Sequence, residues 1–102
     1  MVTVRAARSG AGAGRGPGYG WTSHVTVDRH GRRTEYTVTI SPASMARWSV
    51  GSELKDVEDL VRRSFEFLLE RESPSSILPQ FELSVIETYF PEYDELIRSS
   101  RG

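Results

Sequence analysis

Three groups of side chains in this 102-residue chain could do chemistry beyond burial. The first is basic: Arg29, His30, Arg32 and Arg33 fall within five positions. Such a cluster suits a phosphate or an acidic partner, although loop tips are also charged simply because they are wet. The second is acidic: Glu82, Glu87, Glu92, Asp94 and Glu95 lie among tyrosines. Acid–base catalysis needs carboxylates that converge and perturb one another. These five have no regular spacing, and residues 53–102 contain no histidine, so the pattern is that of solvated helix faces and helix N-termini. The third is aromatic: Tyr89, Phe90 and Tyr93. Aromatic residues are enriched at protein interfaces and serve equally well in a core.

The remaining catalytic patterns fail on spacing. With no cysteine in the chain, disulfides, thiolate nucleophiles and Cys-based zinc sites are excluded. His24 and His30 are six residues apart with only Asp28 nearby, short of the three or four convergent ligands a metal needs. Ser64 sits beside Arg63 with no base near it in sequence and no Gly-x-Ser-x-Gly frame. The glycines of residues 10–20 do not form a phosphate-cradling pattern. These readings predict no catalytic residues, no cofactor, no metal and no enzymatic activity.

Several elements must position the basic and aromatic groups. Residues 21–40 alternate with period two and are rich in β-branched side chains, which predicts a hairpin. Its inner face would carry Val25, Val27, Tyr36, Val38 and Ile40. Residues 28–33 form its turn, with Gly31 free to take a positive φ. Ser41-Pro42 predicts the cap and first residue of a short helix that places Met45 and Trp48 together and stops at Gly51. Asp56 to Glu72 reads as a long amphipathic helix. Leu54, Val57, Val61, Phe65 and Leu68 form its apolar stripe, Leu60, Phe67 and Leu69 widen it, and Glu58, Arg62, Glu66 and Glu70 lie outside. Ser52 or Asp56 is the expected cap. Ser73-Pro74 ends the helix and starts a single turn that Pro79 stops, with Ile77, Leu78 and Phe81 plugging the core. Ser84-Val85-Ile86-Glu87 fits a capping box for a short helix, and Pro91 fits the first position of a last one, running to about Ser99. Its apolar side would carry Leu96 and Ile97.

Composition adds bounds. A chain this short forms one domain with a modest core. Six of the nine glycines fall in residues 10–20, so residues 1–20 read as a disordered Gly/Ala/Arg-rich tail and residues 21–99 as the domain. Residues 1–52 hold seven arginines against two acids, and residues 53–102 hold six basic against twelve acidic side chains. The imbalance favours pairing of the two halves within the chain. No apolar run reaches the roughly 18 residues of a membrane span, and no secretory signal precedes the domain. The expected location is therefore cytoplasmic, away from membranes.

Residues Asp56 to Tyr93 resemble the ending of a recurrent group of small bacterial proteins with no known activity. The resemblance is carried by Val57 through Glu72, Ser76-Ile77-Leu78, Phe81, Leu83 and Tyr89-Phe90-Pro91-Glu92-Tyr93. It implies a β-hairpin ahead of the helices and transfers no functional residue. The glycine-rich start departs from the group.

The combined expectation is an α+β fold: a β-hairpin packed on one long amphipathic helix, followed by short C-terminal helices. An open hairpin edge invites pairing with a second copy into a homodimer. The expected function is a non-enzymatic interaction, adaptor or regulatory protein of antitoxin-like character, binding a protein partner or itself. Arg29, Arg32, Arg33, Tyr89, Phe90 and Tyr93 are the candidate contact residues. The alternative is a nucleic-acid-binding regulator that uses the basic turn and the arginine-containing tail.

Overall fold

A computed structural model describes residues 1–9, 20–29, 31–49, 51 and 53–100. Strands β1 (Val2–Ser9), β2 (Gly20–Arg29) and β3 (Arg32–Ile40) are followed by helices α1 (Pro42–Trp48) and α2 (Leu54–Leu69). A single 3-10 turn (Pro74–Ser76), strand β4 (Gln80–Glu82) and helices α3 (Val85–Tyr89) and α4 (Tyr93–Ser100) complete the chain. The fold is α+β, with one four-stranded mixed sheet in the order β1-β2-β3-β4.

The hairpin forms as its alternation requires. Trp21 pairs with Ile40 and Arg29 with Arg32, and Gly31 in the connection takes φ +74°. Val25, Val27, Tyr36, Val38 and Ile40 are all buried on one face.

Two strands flank this hairpin, and neither was expected. β1 corrects the first part of the tail expected over residues 1–20: Val2 through Ser9 pair antiparallel with Val27 through Gly20. Val2, Val4 and Ala6 fall on the core face, with Val4 buried. Arg5-Ala6-Ala7-Arg8 has little intrinsic strand preference, so the open backbone groups of β2 supply what the local sequence lacks. The glycine-rich residues 10–19 lie outside the described residues. β4 pairs parallel to β3, with Thr37 N–H donating to Pro79 C=O and Leu83 N–H to Thr39 C=O, both at 2.8 Å. A parallel neighbour needs a long crossover, and the helical residues between β3 and β4 provide it. β1 fills the β2 edge and β4 fills Thr37–Thr39 of β3, so these parts of the hairpin edge expected to pair with a second copy are paired within the chain. The four-stranded sheet forms within one chain.

The helices cover one face of the sheet. α2 buries Val57, Leu60, Val61, Ser64, Phe65, Phe67 and Leu68, a stripe wide enough to meet the sheet on one side and α4 on the other. Leu54 begins the helix yet stays exposed, as does Leu78 in the following loop, so neither belongs to the core. The cap is Glu53, whose N–H is taken by the Asp56 carboxylate at 3.0 Å. The helix stops at Leu69, where Arg71 and Glu72 N–H groups both turn back to Leu68 C=O, three residues short of the expected end.

α1 is capped as expected, Ser41 Oγ accepting Ser44 N–H at 3.1 Å. The expected capping box at Ser84 does not form. The Glu82 carboxylate takes both the Ser84 N–H and the Ser84 hydroxyl. Glu87 instead receives the Arg47 guanidinium on both oxygens, at 2.9 and 3.2 Å, because a two-pronged charged pair outcompetes a single neutral N–H. α4 starts at Tyr93 rather than Pro91, and of its two expected apolar residues Ile97 is buried while Leu96 is exposed.

Candidate functional site

The basic turn stays on the surface. Arg29, Arg32 and Arg33 are exposed, and His30 lies outside the described residues. Antiparallel register sets Arg33 opposite Asp28, and Arg33 donates to the Asp28 carboxylate at 3.3 Å. Arg29 and Arg32 line a cleft together with Glu70, Arg71 and Glu72, and Arg71 is itself paired with Glu70 and Glu92. Those carboxylates lower the local positive potential, which weakens a phosphate or nucleic-acid site there. The halves of the chain also pair elsewhere, as their charges suggest: Arg47 of the basic half joins Glu87 and Asp94 of the acidic half. His24 is exposed on the uncovered face of the sheet, opposite Arg5 and Thr37. Among the described residues no group of three His, Asp or Glu side chains is placed to hold a metal ion.

The aromatic segment divides. Tyr93, proposed above as a contact residue, is fully buried and so cannot meet a partner. Its ring packs edge-on against Trp48 and Phe67, with centroids 5.1 and 5.3 Å apart. Its hydroxyl meets Ser64 Oγ at 2.6 Å, while Ser64 donates to Leu60 C=O at 2.8 Å. Burial pushes the Tyr93 phenol well above its ordinary range, against the opposing pull of the Ser64 hydrogen bond and the Arg63 charge. Tyr89, in contrast, is 66% exposed, and Phe90 is half-buried against Phe67.

Tyr89 and Phe90 stand on the wall of an apolar groove of about 270 Å³. The end of α2 contributes Leu68, the loop after the 3-10 turn contributes Ile77 and Leu78, β4 contributes Phe81, and α3 contributes Val85 and Ile86. Glu72 is the one charged side chain in the lining. Leu78 is 48% exposed, so the groove is bordered by two large apolar side chains open to water, Leu78 and Tyr89. Water-facing apolar groups around a depression mark binding surfaces more often than isolated ones do.

Leu78 was assigned to the core, and Glu72 was not considered as a site residue. Three helical and loop segments and one strand must assemble before they share a surface. No family model, no curated protein and no solved structure matches this chain. Among the described residues no helix is long and apolar enough to cross a membrane.

Proposed function

We propose that this protein is a non-enzymatic interaction module, an adaptor or regulator of the cytoplasm, that receives part of a partner protein in the groove between α2, β4 and α3. The observation that carries the reading is the exposure of both Leu78 and Tyr89 in the lining of one apolar groove. Burying such side chains against a partner releases water at about 25 cal/mol per Å² of apolar area. α2, β4 and α3 supply most of the lining, which limits the ordering that binding must impose on the protein. The nucleic-acid reading is set aside because Glu70 and Glu72 line the same cleft as Arg29 and Arg32, Arg71 there is paired with Glu70 and Glu92, and Asp28 occupies Arg33.

The test is affinity capture from a lysate of the native cell, followed by titration of the captured partner in purified form. The wild-type chain is expected to give a stoichiometric complex. A Leu78→Glu, Tyr89→Glu double variant with an unchanged circular dichroism spectrum is expected to lose it. Absence of any stoichiometric partner, or a complex indifferent to the double substitution, rejects the proposal.

A further inference from the structure

Resting on that reading of the groove, we infer that its occupant is a short peptide segment carrying two bulky apolar side chains next to a lysine or arginine. Size argues for side chains: about 270 Å³ lies below the roughly 300–1,000 Å³ of pockets that enclose small molecules. A depression of this kind accepts anchors projecting from a chain that lies across its mouth.

Charge argues for the cationic neighbour. Glu72 is the only charged residue in the lining and makes no ion pair among the described residues. Arg71 beside it is engaged elsewhere, with Glu70 and Glu92 and over the Phe67 ring. The half of the chain that builds the groove carries twelve acidic against six basic side chains. An acidic segment would be repelled by Glu72. A basic flank on the occupant gives Glu72 the ion-pair partner that Arg29 and Arg32, which line the neighbouring cleft with it, do not supply.

The experiment pans a phage-displayed library of random dodecamer peptides against the full chain, with the Leu78→Glu variant as the depletion step. Peptides kept by the wild type are expected to combine two bulky apolar residues with net positive charge. A synthetic representative is expected to bind less tightly at higher salt and to lose about five- to tenfold in affinity on Glu72→Lys. Enrichment of neutral or acidic sequences overturns the inferred basic flank while leaving the groove a docking site. A failure of any peptide to depend on Leu78 overturns the groove as a peptide site altogether. Self-association of the wild type that Leu78→Glu abolishes makes a second copy the occupant and overturns the inference from that side. The native complex is tested separately by the capture described above, so the two can fail independently.

Discussion

The Glu58 carboxylate accepts the backbone N–H of Ala6 at 3.0 Å, tying α2 to the outer edge of β1. Asp28 N–H bonds to Met1 C=O, so along β1 the N–H groups of Val2, Val4 and Ala6 point away from β2. Such groups are a template for another chain. A carboxylate set on the helix closes one of them. Amphipathic periodicity alone places Glu58 in solvent; it is half-buried because the sheet has an additional strand beside the helix.

Glu58→Ala removes the acceptor and leaves a partly buried donor unsatisfied, at a cost of about 1–2 kcal/mol. The expected outcome is a lower urea midpoint with an unchanged slope, together with concentration-dependent self-association seen by light scattering. Glu58→Gln keeps an oxygen in place and is expected to recover most of the loss. An alanine variant with the wild-type midpoint would contradict this role.

Tyr93 and Tyr89 are four residues apart and should respond in opposite ways. Tyr93→Phe deletes a buried hydroxyl bonded to Ser64 and is expected to cost about 1 kcal/mol; Tyr93→Ala also leaves a cavity, for about 3–5 kcal/mol. Tyr89→Ala changes an exposed side chain and should stay within about 0.5 kcal/mol. Urea titrations of the three variants decide the matter.

Alkaline pH offers a second test of Tyr93. Burial raises its phenol above the ordinary value of 10.0, so the folded state holds this proton more tightly than the unfolded chain. The stabilising contribution is complete below about pH 10 and is lost as pH rises beyond it, because the unfolded state then binds fewer protons. Tyr36 is raised too, again by burial first. The comparison of wild type with Tyr93→Phe isolates Tyr93: the variant is expected to show a shallower loss of stability above pH 10 and one fewer late-ionising tyrosine by ultraviolet absorbance.

Asp94 fastens α4 to α1. The Trp48 indole N–H donates to it at 2.8 Å and Arg47 at 3.0 Å. The indole hydrogen bond, then the Arg47 and Arg98 charges, hold its carboxyl below the ordinary 3.8, against partial desolvation. A lowered carboxylate stabilises the fold above the unfolded value and loses that contribution as pH falls through the folded one. Asp94→Asn is therefore expected to weaken the protein at neutral pH and to flatten its stability profile below about pH 4, with tryptophan fluorescence as the readout.

Ser23 is fully buried opposite Ala6, and its hydroxyl has no hydrogen-bond partner among the described residues. Ser23→Ala removes the unmet polar group without adding volume and is expected to stabilise by about 1 kcal/mol. A fall in the thermal midpoint would show that the hydroxyl is satisfied in solution.

Legibility in sequence followed the range of the forces involved. The hairpin, the Ser41 cap, the long helix and the 3-10 turn at Pro74 were readable because alternation, capping and proline geometry act over a few residues. Helix ends were less readable: Glu53 caps α2 through Asp56, and Glu87 abandons its capping box for an arginine forty positions earlier. β1 and β4 were missed for one reason. A strand whose second half, Arg5 to Ser9, has little strand preference and a strand of three are held by backbone groups that the hairpin exposes, and those exist only once the chain has folded.

The sequence by itself determined the α+β class, the inner face of the hairpin and the buried stripe of α2, since period two and period 3.6 each assign a side chain to a face without reference to the rest of the chain. It also named Tyr89 and Phe90 as surface candidates. Only the tertiary structure separated them from Tyr93. The start of α4 turns Tyr93 into the space between Trp48 and Phe67, where ring packing and the Ser64 hydroxyl hold it. The same assembly brings Leu78 and Glu72 to the groove beside Tyr89, because α2, β4 and α3 meet there through contacts that no local pattern encodes.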